Sequence, residues 1–369
     1  MSKAGGELRT AAGATMIVGL EGAELTAMER AWLKLIRPGG VILFRRNIES
    51  ASQTFALLGE VNKILGCDIL RCVDVEGGLV DRLRDCVAPM PSAAAVAASG
   101  NRKLFWRHGA LIGREVHMLG FNTTLAPVLD LALPISAPVL RTRAASADPA
   151  VVIGYAGEFL DGLAAENVIG CGKHFPGLGG GALDSHQSTP SIERTPEEMW
   201  RTDLLPYRRL AKKLPMVMIS HGAYPRSAGG DVPASLSRSW IDLLKGRIGF
   251  KGLILSDDLE MGGVLSRSSI GEAAVQALTA GTHLIEICRQ PALIVEAYEA
   301  VLREGESSAA FRRAVLRAAS KVQSVTRRLP AAPAAATSPT TEVIEGLRSD
   351  ILSFAAQLQE PSATQALIA

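Results

Sequence analysis

Ionisable residues recur at the ends of short apolar runs in this chain. Asp74-Val75-Glu76-Gly77-Gly78 follows a run that ends at Val73, Lys173-His174 follows Gly172, His221 follows Ser220, and Asp257-Asp258 follows Ser256. A carboxylate in such a set can serve as nucleophile or base, and a histidine can give and take a proton near neutrality. The segment from Lys173 to His186 is the richest. Its glycines would let the backbone approach a ligand closely or move as a flap. Asp184 and His186 are spaced as a carboxylate-imidazole dyad, in which the acid fixes the tautomer and stabilises the imidazolium. Taken singly, each of these groups has an equally good explanation as a helix N-cap or a salt-bridge partner. A metal site drawn from His174, Asp184 and His186 is a further alternative, but no H-E-x-x-H spacing supports it. A phosphate loop is another, but Lys173 precedes the glycines and no G-x-x-x-x-G-K-[ST] is present.

The elements that must position these groups read as repeated βα units. Apolar runs at Thr15 to Leu20, Gly40 to Phe44, Asp68 to Val73, Thr123 to Leu129, Val168 to Gly172, Pro215 to Ser220, Gly252 to Ser256 and Thr282 to Cys288 alternate with amphipathic stretches of helix length. Eight such runs are what a closed parallel barrel needs, and in that fold the strand ends converge on one open face. The expected fold is therefore a TIM-like (β/α)₈ barrel, a single catalytic domain with a C-terminal helical extension. Helix starts are signalled by Thr26 three before Glu29 and by Thr195-Pro196-Glu197-Glu198. Asp148-Pro149 opens a helix with Val152, Tyr155, Phe159 and Leu163 on one face.

We divide the chain into an N-terminal arm (1–13), the barrel (14–329), a Pro/Ala linker (330–341) and a C-terminal helix and tail (342–369). In the last segment Val343, Leu347, Ile351, Phe354 or Ala355, and Leu358 form an apolar stripe that would dock on the barrel or on a partner subunit. Monomer and homodimer are both compatible with this.

With 369 residues, 47% of them hydrophobic, the chain can bury a full core. Lysine plus arginine (39) nearly balances aspartate plus glutamate (37) without blocks of like charge, so nothing points to nucleic acid. No apolar run has the length of a membrane span, and the first residues lack a secretory h-region, so a cytoplasmic protein is expected. The five cysteines lack C-x-x-C spacing and read as reduced core residues.

Lys173-His174-Phe175-Pro176-Gly177, followed by Asp184-Ser185-His186 and by Ser256-Asp257-Asp258-Leu259, resembles the β-N-acetylhexosaminidases of glycoside hydrolase family 3. The resemblance extends through Arg37 to Phe44, Asp74 to Arg82, Ala126 to Asp130 and Gly249 to Leu253, and covers residues 14 to 305. It implies Asp257 as nucleophile, His186 as general acid/base oriented by Asp184, and sugar contacts from Asp74, Arg82, Arg143, Lys173 and His174. It implies no metal and no cofactor. It also implies a retaining reaction through a glycosyl-enzyme. The implied substrate is a terminal β-linked N-acetylglucosamine on a muropeptide, or on a chitooligosaccharide, as in peptidoglycan recycling.

The chain departs from the family pattern at Leu79 and Leu178, where arginine and histidine are usual, at Gly180-Gly181 in the flap, at Ala144-Ala145, which replaces a small residue and an aromatic, and at His283, where aspartate is usual. Two alternatives on the same scaffold are a non-catalytic sugar-binding barrel and a β-N-acetylglucosaminide phosphorylase. A β-glucosidase would carry Ser-Asp-Trp where this chain has Ser256-Asp257-Asp258.

Overall fold

The computed structural model describes residues 3–182, 189–329 and 338–359. All eight expected runs form strands: β1 Met16–Gly19, β2 Gly40–Leu43, β3 Leu70–Val73, β4 Thr123–Thr124, β5 Ile169–Phe175, β6 Met216–Ile219, β7 Leu253–Asp258 and β8 Leu284–Ile287. Each pairs in parallel with its sequence neighbours, and β8 returns to β1 through Met16↔Ile285 to close the barrel. Inward side chains such as Ile17, Ile42, Leu70, Leu125, Met216 and Leu284 fill the interior, so the barrel is a packed core with one open mouth.

Strand β4 is shorter than the run Thr123 to Leu129 promised. Pro127 has no N–H to donate, and the ladder breaks there. The chain nevertheless stays on β5 by irregular bonds, with Cys171 N donating to Ala126 O at 2.7 Å and Leu129 N to Lys173 O at 2.6 Å.

Two register shifts lie at the mouth. On β5 the step from Gly172 to Phe175 faces only Val217 to Ile219 on β6, and on β7 the step from Leu255 to Asp258 faces only Leu284 to Glu286 on β8. An extra residue re-aims the side chains that follow it. These shifts fall at Lys173-His174 and at Asp257-Asp258, the two ionisable pairs.

The helix signals are realised. Thr26 and Thr195 form capping boxes with Glu29 and Glu198, and Asp148 caps the helix Pro149–Ala165, whose Val152, Tyr155, Phe159 and Leu163 are buried. His283, at the foot of β8, accepts the Ile254 N–H through Nδ1 at 3.0 Å, and burial holds its ring down at about 3, so it remains a neutral acceptor. Cys72, Cys171 and Cys288 are buried as expected of core cysteines, whereas Cys67 is exposed. Among the described residues no helix is long and apolar enough to cross a membrane.

The segment read as an N-terminal arm is helical from Lys3 to Ala14, and its Leu8, Ala11 and Ala12 are buried. At the other end the helix Thr341–Gln359 docks on this chain's own helix Arg102–Met118. Leu347, Ile351 and Phe354 of the expected stripe are buried, but Val343 is 53% exposed. Phe354 stacks on His108 with ring centroids 5.8 Å apart, and Arg114 pairs with Asp350 at 2.9 Å. Removing a fully buried ring leaves a cavity. Phe354→Ala should therefore weaken docking of this helix by about 3 kcal/mol, read as faster hydrogen exchange over 341–359 with the barrel strands unchanged.

Candidate active site

The loop after β3 folds back as a two-stranded hairpin, Val75–Gly77 with Val80–Asp81. It is fixed from below by Asp81, whose carboxylate accepts the Leu83 N–H at 3.1 Å and the Met90 N–H at 3.0 Å. This hairpin carries Asp74 at its root, Glu76 on its buried side and Arg82 just beyond it.

Lys173, at the mouth end of β5, links the hairpin to the barrel. Its Nζ lies 2.8 Å from Asp74 Oδ1 and 2.7 Å from Glu76 Oε1. Arg143 completes the pairing, with Nε and Nη2 each 2.8 Å from the two Glu76 oxygens in a bidentate fork. Burial alone would push the Glu76 carboxyl up, but Arg143 and Lys173 hold it well below the usual carboxylate range. Lys173 is likewise kept charged: burial opposes it, and the charges of Asp74 and Glu76 outweigh burial. Arg82 is held more loosely, with Nη2 3.9 Å from Asp74 Oδ2. Its Nε is buried with no hydrogen-bond partner among the described residues.

His174 is oriented by Asp130 at the end of the β4 segment. Its Nδ1 donates to Asp130 Oδ2 at 2.6 Å, which leaves Nε2 as the ring's other polar edge. The other Asp130 oxygen accepts the Leu178 N–H at 2.7 Å, so the same carboxylate anchors the start of the glycine-rich segment. The close approach expected of those glycines is made to protein here. Gly177 adopts φ +129 against Asp203, and a Cβ at Gly179 would lie 2.6 Å from Leu131 O. Asp184 and His186 lie outside the described residues. On the far side of that segment, Thr189 Oγ1 donates to Gly263 O at 2.7 Å, just beyond Asp257 and Met261.

Asp257 and Asp258 are neighbours with opposite electrostatics. For Asp257 the cost of burial is outweighed by the imidazoles of His221 and His174, by the Asp258 N–H that its Oδ1 accepts at 2.9 Å, and by Lys173, so its carboxyl is lowered and ionised. Asp258 is pushed up to about 7 by burial and by the charges of Glu260 and Asp257, against the Glu260 N–H that it accepts at 3.0 Å. His221 is fixed at both ring nitrogens, with Nδ1 2.7 Å from Ser235 Oγ and Nε2 donating to Asp258 O at 2.8 Å. It supports β7 from β6.

One cleft is lined by Asp74, Arg82, Arg143, Lys173, His174 and Asp257 together, along with Glu76, Asp258, Glu286, Leu178 and the apolar Phe44, Leu125 and Met218. All five expected sugar contacts and the expected nucleophile thus meet. Asp130 and Glu76 were not read as site residues. Both lie inside the motifs quoted above, but a carboxylate whose work is to hold a cation or an imidazole cannot be told by type from one that faces a ligand. Leu178 lines the cleft where a histidine is usual, whereas Leu79 is 51% exposed and outside it. Among the described residues no group of three or more potential ligands could hold a metal ion. An ionised carboxylate on the floor of such a cleft, facing fixed donors, can attack an electrophilic carbon that the donors orient.

The sequence of residues 4–325 matches the glycosyl hydrolase family 3 N-terminal domain. A beta-hexosaminidase of Pseudomonas aeruginosa strain LESB58 is 38% identical over 283 residues, covering 75% of this chain and 83% of that protein. One from Thioalkalivibrio sulfidiphilus is 37% identical over 284 residues, covering 75% of this chain and 81% of that protein. The structure of a glycoside hydrolase family 3 beta-N-acetylglucosaminidase from Paenibacillus superposes with a TM-score of 0.83 at 29% identity, covering 94% of this chain and 68% of that one. With the barrel, the cleft and these likenesses in agreement, the chain belongs to glycosyl hydrolase family 3.

Proposed function

We propose that this protein is a retaining exo-β-N-acetylglucosaminidase with Asp257 as its nucleophile, acting on terminal β-linked N-acetylglucosamine of cell-wall muropeptide fragments. The observation that carries the reading is that Asp257 shares one cleft with Asp74, Arg82, Arg143, Lys173 and His174, and the imidazoles and the ammonium around it hold its carboxyl down. A nucleophile must be charged where it acts, and only a specific surrounding gives one carboxylate of an adjacent pair that property.

In the reaction, an Asp257 oxygen forms a bond to the anomeric carbon as the glycosidic C–O bond breaks. The leaving oxygen takes a proton from His186, which Asp184 orients. Water then attacks the same carbon, His186 takes the water's proton, and Asp257 is released as carboxylate with net retention. Asp74, Arg82, Arg143, Lys173 and His174 orient the sugar. Lys173 and Arg143 do so from fixed positions because Glu76 holds both. The names of the relatives support the acetamido sugar, and the resemblance supports the cell-wall fragment and the histidine acid. Phosphate added to the assay separates hydrolysis from phosphorolysis, since only the latter gives a sugar 1-phosphate.

Release of nitrophenol from its β-N-acetylglucosaminide, with the β-glucoside alongside, tests the reading. Asp257→Ala should lower kcat by roughly 10³-fold or more, and near-normal turnover would remove Asp257 from its role. His186→Ala should cost most with poor leaving groups, because these need protonation in the transition state. An equal loss across leaving groups would exclude His186 as the acid. Glu76→Gln leaves Arg143 and Lys173 short of an anion in a buried place. It should lower stability by about 3 kcal/mol and kcat/KM by roughly 10-fold or more, and unchanged values for both would show that the pairing does not position the cleft.

A further inference from the structure

Glu286 has no part in the chemistry described so far. It sits on β8 with its side chain inside the barrel, 2% exposed, and it lines the floor of the cleft beside Asp257 and Cys288. Its main chain is fully used: the N–H donates to Ser256 Oγ at 3.1 Å and the carbonyl accepts from Leu259 N at 2.9 Å. Its side chain is not. Oε1 accepts the Cys288 thiol at 3.3 Å, and Oε2 has no hydrogen-bond partner among the described residues.

The charged groups that act on Glu286 most strongly are all carboxylates, those of Asp258, Asp74 and Asp257. Lys173 is already committed to Asp74 and Glu76. Buried carboxyls are mostly paired, and Glu286 instead shares the barrel interior with an apolar cluster that includes Leu255, Leu284 and Cys288. An orphan polar oxygen on a side chain that lines a cleft is satisfied when a ligand supplies the missing partner.

Resting on the glycosidase reading above, we propose that Glu286 is a specificity-determining residue of the cleft, whose unpartnered carboxyl oxygen hydrogen-bonds a polar substituent of the bound pyranose, a hydroxyl or the acetamido group. Burial and the neighbouring carboxylates push this acid well up, which favours the protonated form that can donate as well as accept. In that form it serves either kind of substituent without adding a further negative charge beside the nucleophile.

The experiment compares Glu286→Leu, which keeps the volume and removes the polar atoms, with Glu286→Gln, which keeps a donor and an acceptor. For each, kcat and KM on the nitrophenyl N-acetylglucosaminide, the affinity for free N-acetylglucosamine by calorimetry, and Tm are measured. The leucine variant should lose roughly 10-fold or more in kcat/KM and in sugar affinity, with a Tm equal to or above wild type because an unsatisfied buried acid is gone. The glutamine variant should recover most of the loss. Leucine-variant kinetics and affinity within about 2-fold of wild type would overturn the proposal. So would a parallel fall of activity and Tm in both variants, which would make Glu286 structural. Wild type that binds N-acetylglucosamine without turning over the substrate would sink the glycosidase reading alone, and the affinities would still decide the role of Glu286.

Discussion

The buried ammonium of Lys173 is the interaction on which the cleft depends. It stands between Asp74 and Glu76, two carboxylates on one hairpin that would repel each other without it. Arg143 supplies the second cation, so the set is two acids and two bases with bidentate geometry on one side. Buried charges persist only when paired this completely, and each pair here joins a different part of the barrel mouth. The β3 loop, the end of β5 and the segment before the helix Pro149–Ala165 are thereby held in one arrangement.

A second carboxylate does comparable work for the neighbouring residue. Asp130 takes the His174 ring with one oxygen, and its other oxygen takes the backbone of Leu178. The imidazole orientation and the root of the glycine-rich segment are therefore set by the same group. This explains why that root is packed against Leu131 and Asp203 despite its glycines. The register shifts in β5 and β7 belong to the same design, since they turn consecutive ionisable residues toward the mouth that a regular strand would send to opposite faces.

Electrostatics then divides roles among acids of one type. Asp257 is surrounded by imidazoles and an ammonium and is ionised. Asp258 faces Glu260 and Asp257 and is held up to about 7, and Glu286, buried beside Asp258, Asp74 and Asp257, is likewise pushed well up. Residue type is identical or nearly so in all three, and only the partners differ.

What the sequence by itself determined was the periodic part of the structure and the chemistry carried by local spacing. Eight apolar runs became eight strands, and Thr26, Asp148 and Thr195 became helix caps, because periodicity and capping are set within a few residues. Asp74, Lys173, His174 and Asp257 could be placed together because strand ends of a parallel barrel converge on one face, and the family resemblance added Arg82 and Arg143. Tertiary structure alone decided that Glu76 and Asp130 are the supports of that site, that Asp257 and Asp258 differ in acidity, and that Glu286 lines the cleft with one carboxyl oxygen unpartnered among the described residues. Each of these depends on which charges lie within a few ångströms across the barrel, and Coulomb and desolvation terms follow distance in space, which spacing along the chain does not record.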